Sequence, residues 1–173
     1  MGWNFFLSVI CLFCGDYVET KDLKSCCIQQ RCADDVIAKA VSKILAEKDL
    51  VLFGHLTDSL GKIRTLTVMF NHRKCITIQE GRKLLVFAVQ SLLSEINADE
   101  VIRPHLQHYP FQIENVEVGI SLEYGQQENL EQGELWGVAA HDGVFKYLVQ
   151  GTEFLEAIHE ETYEEALQLV EQP

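Results

Sequence analysis

Apolar residues recur at two different periods along the chain, and the changes of period divide it into elements. Ile37, Val41, Ile44 and Leu45 fall at helical spacing behind Asp34 and Asp35, whose charge suits a helix N-terminus. Residues 34–48 therefore predict an amphipathic helix. Gly54 and Gly61 bound a less regular stretch in which Val51-Leu52-Phe53 starts a short strand. Leu66, Val68 and Phe70 then alternate with polar positions in a β-branched run, which predicts a strand over 64–70. Thr77 and Glu80 have the spacing of a capping box, in which each side chain satisfies the other's orphan backbone donor. Behind it, Leu85, Ala88, Val89, Leu92 and Ile96 trace one helical face to about Asn97. Leu84, Val86 and Leu93 widen that stripe, so this helix is predicted to be central and buried.

The second half reads as sheet. Val116, Val118, Ile120, Leu122 and Tyr124 alternate with Glu117, Gly119, Ser121 and Glu123, as in a strand with one buried and one wet face. A polar loop rich in Gln and Glu follows from Gly125 to Gly133. Asp142-Gly143 is a two-residue hairpin signal. Setting His141 opposite Val144 pairs Ala140 with Phe145, Val138 with Tyr147 and Trp136 with Val149, an apolar set on one face. Leu155, Ile158, Thr162, Tyr163, Ala166 and Val170 fit a helical period to the end of the chain. The sum is an α+β fold with an about four-stranded, mainly antiparallel sheet and helices packed on one face. The strand–helix–strand order over 64–124 allows one parallel pair.

Residues 1–14 form an apolar run without a charged side chain, ending at Cys14-Gly15. A spanning helix needs about 20 apolar residues, whereas the apolar core of a secretory signal needs about 7–15. The run thus has the length of an export signal and associates the N-terminus with a membrane. Residues 15–32 read as a linker or a cysteine-bearing arm, and 33–173 as a single domain. Charge is divided unevenly. Residues 1–97 carry 12 Lys+Arg and 10 Asp+Glu, whereas 98–173 carry 2 and 16. An acidic half of that kind repels phosphate backbones, which excludes nucleic acid as its partner and leaves a protein partner.

No cofactor motif occurs: the chain lacks a glycine-rich phosphate loop, a Gly-x-Ser-x-Gly elbow and a His-Glu-x-x-His pair. Cys11 and Cys14 have CxxC spacing but lie within the apolar run. Cys14 is the candidate for lipid attachment. Cys26, Cys27, Cys32 and Cys75 are disulfide candidates if the chain is exported, and free thiols if it is not. Cys75, after a strand and ahead of a capped helix, is also the one nucleophile candidate. His105 and His108 are metal-ligand candidates, but zinc needs three or four ligands and none stands at helical spacing beside them. His141 beside Asp142 is explained by turn chemistry. The pairs Glu160-Glu161 and Glu164-Glu165 set like charges one helical turn apart, to be relieved by solvent, calcium or a basic surface. Between the central helix and the sheet, Ile102-Arg103-Pro104 to Tyr109-Pro110-Phe111 contains two prolines in seven residues, which predicts a packed connector with Tyr109 and Phe111 beneath the sheet.

Two resemblances bear on function. The apolar run ending in Cys14-Gly15 resembles the processing site of bacterial lipoproteins, although Phe13 stands where that site has a small residue and no Lys or Arg precedes the run. Thr77-x-x-Glu80-x-Arg82, Ile102-Arg103-Pro104-x-Leu106 and Tyr109-Pro110-Phe111 ahead of a strand resemble a pattern in small exported proteins of bacteria. That resemblance covers about residues 64–150 and implies export without catalytic residues. The resulting expectation is a non-enzymatic exported or envelope protein that binds another protein and is held to a membrane at Cys14. Its alternatives are a cytosolic acidic adaptor or chaperone-like protein, and an enzyme using Cys75 or the His105/His108 pair.

Overall fold

Alternation of apolar residues in the second half, joined to the strand at 63–72, produces a six-stranded sheet in the computed structural model. The described residues are 20–59, 61–122, 134–152 and 154–171. The elements run α1 (Thr20–Glu47), β1 (Val51–Ser59), β2 (Ile63–His72), α2 (Ile78–Ala98), β3 (Val116–Leu122), β4 (Leu135–His141), β5 (Val144–Gln150), β6 (Leu155–Thr162) and α3 (Tyr163–Glu171). Spatial order follows chain order, β1-β2-β3-β4-β5-β6. Every neighbouring pair is antiparallel except β2 and β3, which are parallel and joined through α2. The sheet is therefore mixed and two strands wider than the four that alternation alone indicates.

Helix α2 explains how the layers close. Its capping box is formed as predicted: Thr77 Oγ1 accepts from Glu80 N–H at 3.2 Å, and Glu80 accepts from Thr77 N–H at 2.8 Å. The helix touches α1 on one side and α3 on the other, while its buried stripe lies on β3, β4 and β5. The core lies between these helices and one sheet face, where Phe70, Val118, Ile120, Val138, Phe145 and Tyr147 are almost fully buried. On the opposite face, Thr67 donates to Glu117 at 2.8 Å, and Glu117 lies 2.7 Å from His141 Nδ1. No described helix packs there.

Three expectations are corrected. The first helix begins at Thr20 rather than Asp34, so residues 20–32 are its opening turns and not a linker. Residues 155–162 are a strand paired with β5, and the terminal helix is confined to Tyr163–Glu171. The Asp142-Gly143 hairpin has the predicted register through Val138↔Tyr147, but a bulge expels Trp136 and sets Leu135 opposite Val149. Asp142 and Gly143 both have positive φ, as the two-residue turn requires.

In the connector, Phe111 is buried and Asn97 holds its backbone at both ends. Asn97 donates to Phe111 C=O at 3.0 Å and accepts from Phe111 N–H at 2.8 Å. Tyr109 instead lies outside the core, half-exposed beneath the Arg103 guanidinium at 4.6 Å. Its hydroxyl donates to Asn97 C=O at 3.2 Å.

The approach of α2 to the sheet depends on Gly81. A Cβ there would lie 2.9 Å from Val138 Cγ1 and 3.5 Å from Tyr147 Cε1, both on well-packed strands. Alanine is favoured over glycine in a helix by about 1 kcal/mol, but overpacking a core costs about 1–3 kcal/mol. Gly81→Ala is therefore expected to lower stability, read as an earlier urea midpoint; a later midpoint would contradict this packing.

Candidate functional site

The hairpin of β5 and β6 carries both the most buried ionic cluster and the most exposed strand of the described structure. Alternation along β5 points Phe145, Tyr147 and Val149 at the helices. Pairing sets Glu161 opposite Phe145 and His159 opposite Tyr147, on that same face. Glu161 is consequently buried, and a buried carboxylate requires a cation and donors. Arg82, one turn past the start of α2, donates from Nε to Glu161 Oε1 at 2.7 Å. The Tyr147 hydroxyl donates to the same oxygen. His159 Nε2 lies 3.7 Å from the other oxygen, with its ring 5.3 Å from that of Tyr147.

The titration of the cluster follows from this geometry. Burial pushes the Glu161 carboxyl up, but the bonds from Arg82 and Tyr147, with the charge of Arg82, outweigh it and hold the group below the usual carboxylate range. Burial, together with the bond to the Glu161 anion, pushes the Tyr147 hydroxyl well above its ordinary value. The bond to Glu161 likewise raises the Arg82 guanidinium. Glu161 is thus an anion whose Oε1 is held between two donors that keep their protons. Such a carboxylate is poorly suited to accept a proton, and its effect is to fasten β6 to β5 and α2.

Beyond this fastening, β6 faces outward. Leu155 to Glu160 are all exposed, and no described strand lies beside the second edge of β6. Leu155 is 39% and Ile158 52% exposed, with Phe154 in the preceding turn at 76%. That turn is closed by Gly151 N–H donating to Phe154 C=O at 2.9 Å. A bulge at Ile158 separates Tyr147↔His159 from Leu148↔Ala157. The strand ends in a second capping box: Thr162 Oγ1 accepts from Glu165 N–H at 3.2 Å, and Glu165 accepts from Thr162 N–H at 2.8 Å. This starts α3, whose Ala166 is buried in the core.

The residues singled out in the sequence lie elsewhere. Cys26, Cys27, Cys32 and Cys75 are free thiols, all but Cys32 exposed. The first three share α1, where a rise of about 1.5 Å per residue sets Cys27 and Cys32 roughly 7.5 Å apart along the axis, beyond disulfide reach. Cys75 is exposed just ahead of the α2 cap. His105 is half-buried in the connector's 3-10 turn and His108 is exposed. Among the described residues no three His, Cys, Asp or Glu side chains converge as a metal site. Cys14 lies outside the described residues. Sequence reading missed the roles of Arg82, Tyr147 and His159 in this cluster. The available signal was Thr162-x-x-Glu165, the same capping spacing as Thr77-x-x-Glu80, which places a helix start after Thr162 and frees 155–162 to be a strand.

No family model matches the chain, and neither the curated proteins nor the solved structures searched give a match. The likeness to small exported bacterial proteins therefore rests on the residues that carry it.

Removing one partner of a buried pair leaves the other uncompensated, so Glu161→Ala is expected to cost about 3 kcal/mol or more in urea unfolding. The double change Arg82→Met with Glu161→Leu should recover most of that loss. Because the Glu161 value is depressed, its stabilisation is complete above the unfolded value of about pH 4.3 and is lost as pH falls through the lower folded value. Stability of Glu161→Gln should accordingly fall less steeply than wild type in acid; parallel curves would contradict this assignment.

Proposed function

We propose that this chain is a protein-binding module whose contact region is the exposed β6 edge. One observation carries the reading: a strand pinned to the core at Glu161 exposes every residue from Leu155 to Glu160, the apolar Leu155 and Ile158 among them, with Phe154 exposed just ahead of it. Exposed edges pair with other chains unless they are blocked, and extended segments bind by adding a strand to them. A polar or charged surface strand has no need of Phe154, Leu155 and Ile158 for solubility; an interface does. A photo-reactive residue at Ile158 in cells is expected to crosslink a protein partner, while one at exposed Ser94 on α2 does not. Equal yields at both positions would overturn the assignment to β6.

The compartment belongs to the same proposal. The apolar run over 1–14 supports export, with lipid attachment at Cys14 holding the domain at the cell envelope. Sharing of Cys26, Cys27 and Cys32 by one helix favours a second reading, in which the same module acts as a cytosolic acidic adaptor with reduced thiols. Intact mass after membrane fractionation separates the two. A chain that starts at Cys14 and carries acyl mass is the expected result, and an unmodified start at Met1 or Gly2 in the soluble fraction would establish the adaptor.

A further inference from the structure

Charge along the β6 edge narrows the partner, given that β6 is a protein-binding edge. From Leu155 to Glu171 the chain has six glutamates and no Lys or Arg. Glu161 is neutralised inside by Arg82, and Glu165 is committed to the α3 cap. Glu156 has no described basic partner, and Glu160 has only Lys146 at 3.5 Å. Register places these two on opposite faces of the strand: Glu156 opposite buried Val149, and Glu160 opposite Lys146 on the open face. An incoming strand would meet acids flanking both sides of its backbone, with Ile158 between them and Leu155 ahead of Glu156.

The other edge differs. Strand β1 also exposes apolar residues, Phe53 and Leu56 the most. Its surrounding acids, however, are matched within the fold: Asp58 with Arg64 at 2.6 Å, Asp49 with Lys74 at 2.8 Å and Asp34 with His55 at 3.0 Å. The charge imbalance thus belongs to β6. It also disfavours a second copy as the occupant. Two β6 edges brought together would set one segment without Lys or Arg against its own copy, acid beside acid with no cation on either side, and like-charge juxtaposition costs binding energy.

We infer that β6 receives an extended, basic segment of another protein as a seventh strand. Its Lys or Arg side chains meet Glu156 and Glu160, and its apolar side chains cover Leu155 and Ile158. Main-chain pairing supplies affinity and the alternation of side chains supplies selectivity. Paired cations relieve the edge of the repulsion that keeps it from joining a copy of itself.

The test uses the full chain and three labelled ten-residue peptides: pairs of Val alternating with pairs of Lys, which puts Lys on both faces of an extended strand, pairs of Val alternating with pairs of Glu, and Val and Lys grouped in two blocks. Fluorescence anisotropy should show binding of the alternating Lys peptide alone, weakening as salt shortens the reach of exposed charges. Hydrogen exchange should slow in β6 and not in β1 when that peptide is bound. Glu156→Gln with Glu160→Gln should weaken binding by about fivefold, the scale of two exposed ion pairs. Equal binding of the blocked peptide would reduce the effect to charge alone and overturn strand addition. Equal binding of the Glu peptide, or no change in the double variant, would overturn the basic partner. No peptide binding while the Ile158 crosslink still forms would overturn this inference and leave the binding module standing; loss of both would remove the module as well.

Discussion

A carboxylate drawn out of water on the last strand must be met by a cation and by hydrogen-bond donors, and the placing of Arg82 and Tyr147 meets that demand at Glu161. The contact spans residues 79 positions apart in sequence and joins α2, β5 and β6 at one point. Much of the C-terminal architecture follows from it. With Glu161 held inward, Thr162 stands at the end of the strand, where its hydroxyl starts α3, and α3 can then close the core with Ala166. Without it, β6 would have its pairing with β5 and little buried side chain of its own. The adjacent requirement is close approach, since α2 brings Arg82 to the strands only because Gly81 presents no Cβ to Val138.

The same contact divides the hairpin in two: its inner side is apolar around the Arg82–Glu161 pair, and its outer side is exposed. A firmly held edge is a better template for strand addition than a frayed one, because less ordering is needed when the partner arrives. Under the proposed strand addition, acids on that edge have two consequences: they discourage self-association and they favour a cation-bearing partner. Apolar exposure without those acids would present a general aggregation risk.

Much of this was legible from the residues, and the misses share a cause. The α2 cap, the alternation of β3 and the Asp142-Gly143 turn each rest on local chemistry, and each is formed as their residues indicate. The failures cluster at bulges. One beside Phe53 breaks the alternation of β1, one at Trp136 shifts the far end of β4, and one at Ile158 resets β6. A bulge inserts a residue, so apolar positions flanking it drift from a two-residue period toward a spacing that reads as helix. That is how Leu155, Ile158 and Thr162 mimic a helical stripe. The ionic cluster was hidden for a second reason: Arg82 and Glu161 are surface-type residues, and only the tertiary pairing of β5 with β6 buries them. Length of α1 was hidden as well, because its opening turns carry cysteines and charges in no clear period.

Whether Glu161 holds β6 and α3 to an otherwise self-sufficient core is read from residue-resolved native-state hydrogen exchange in wild type and Glu161→Gln. In the variant the β6 and α3 amides are expected to exchange through a local opening while those of β2 and β3 still require global unfolding. Exchange that accelerates evenly across all six strands, or not at all in β6, would contradict it.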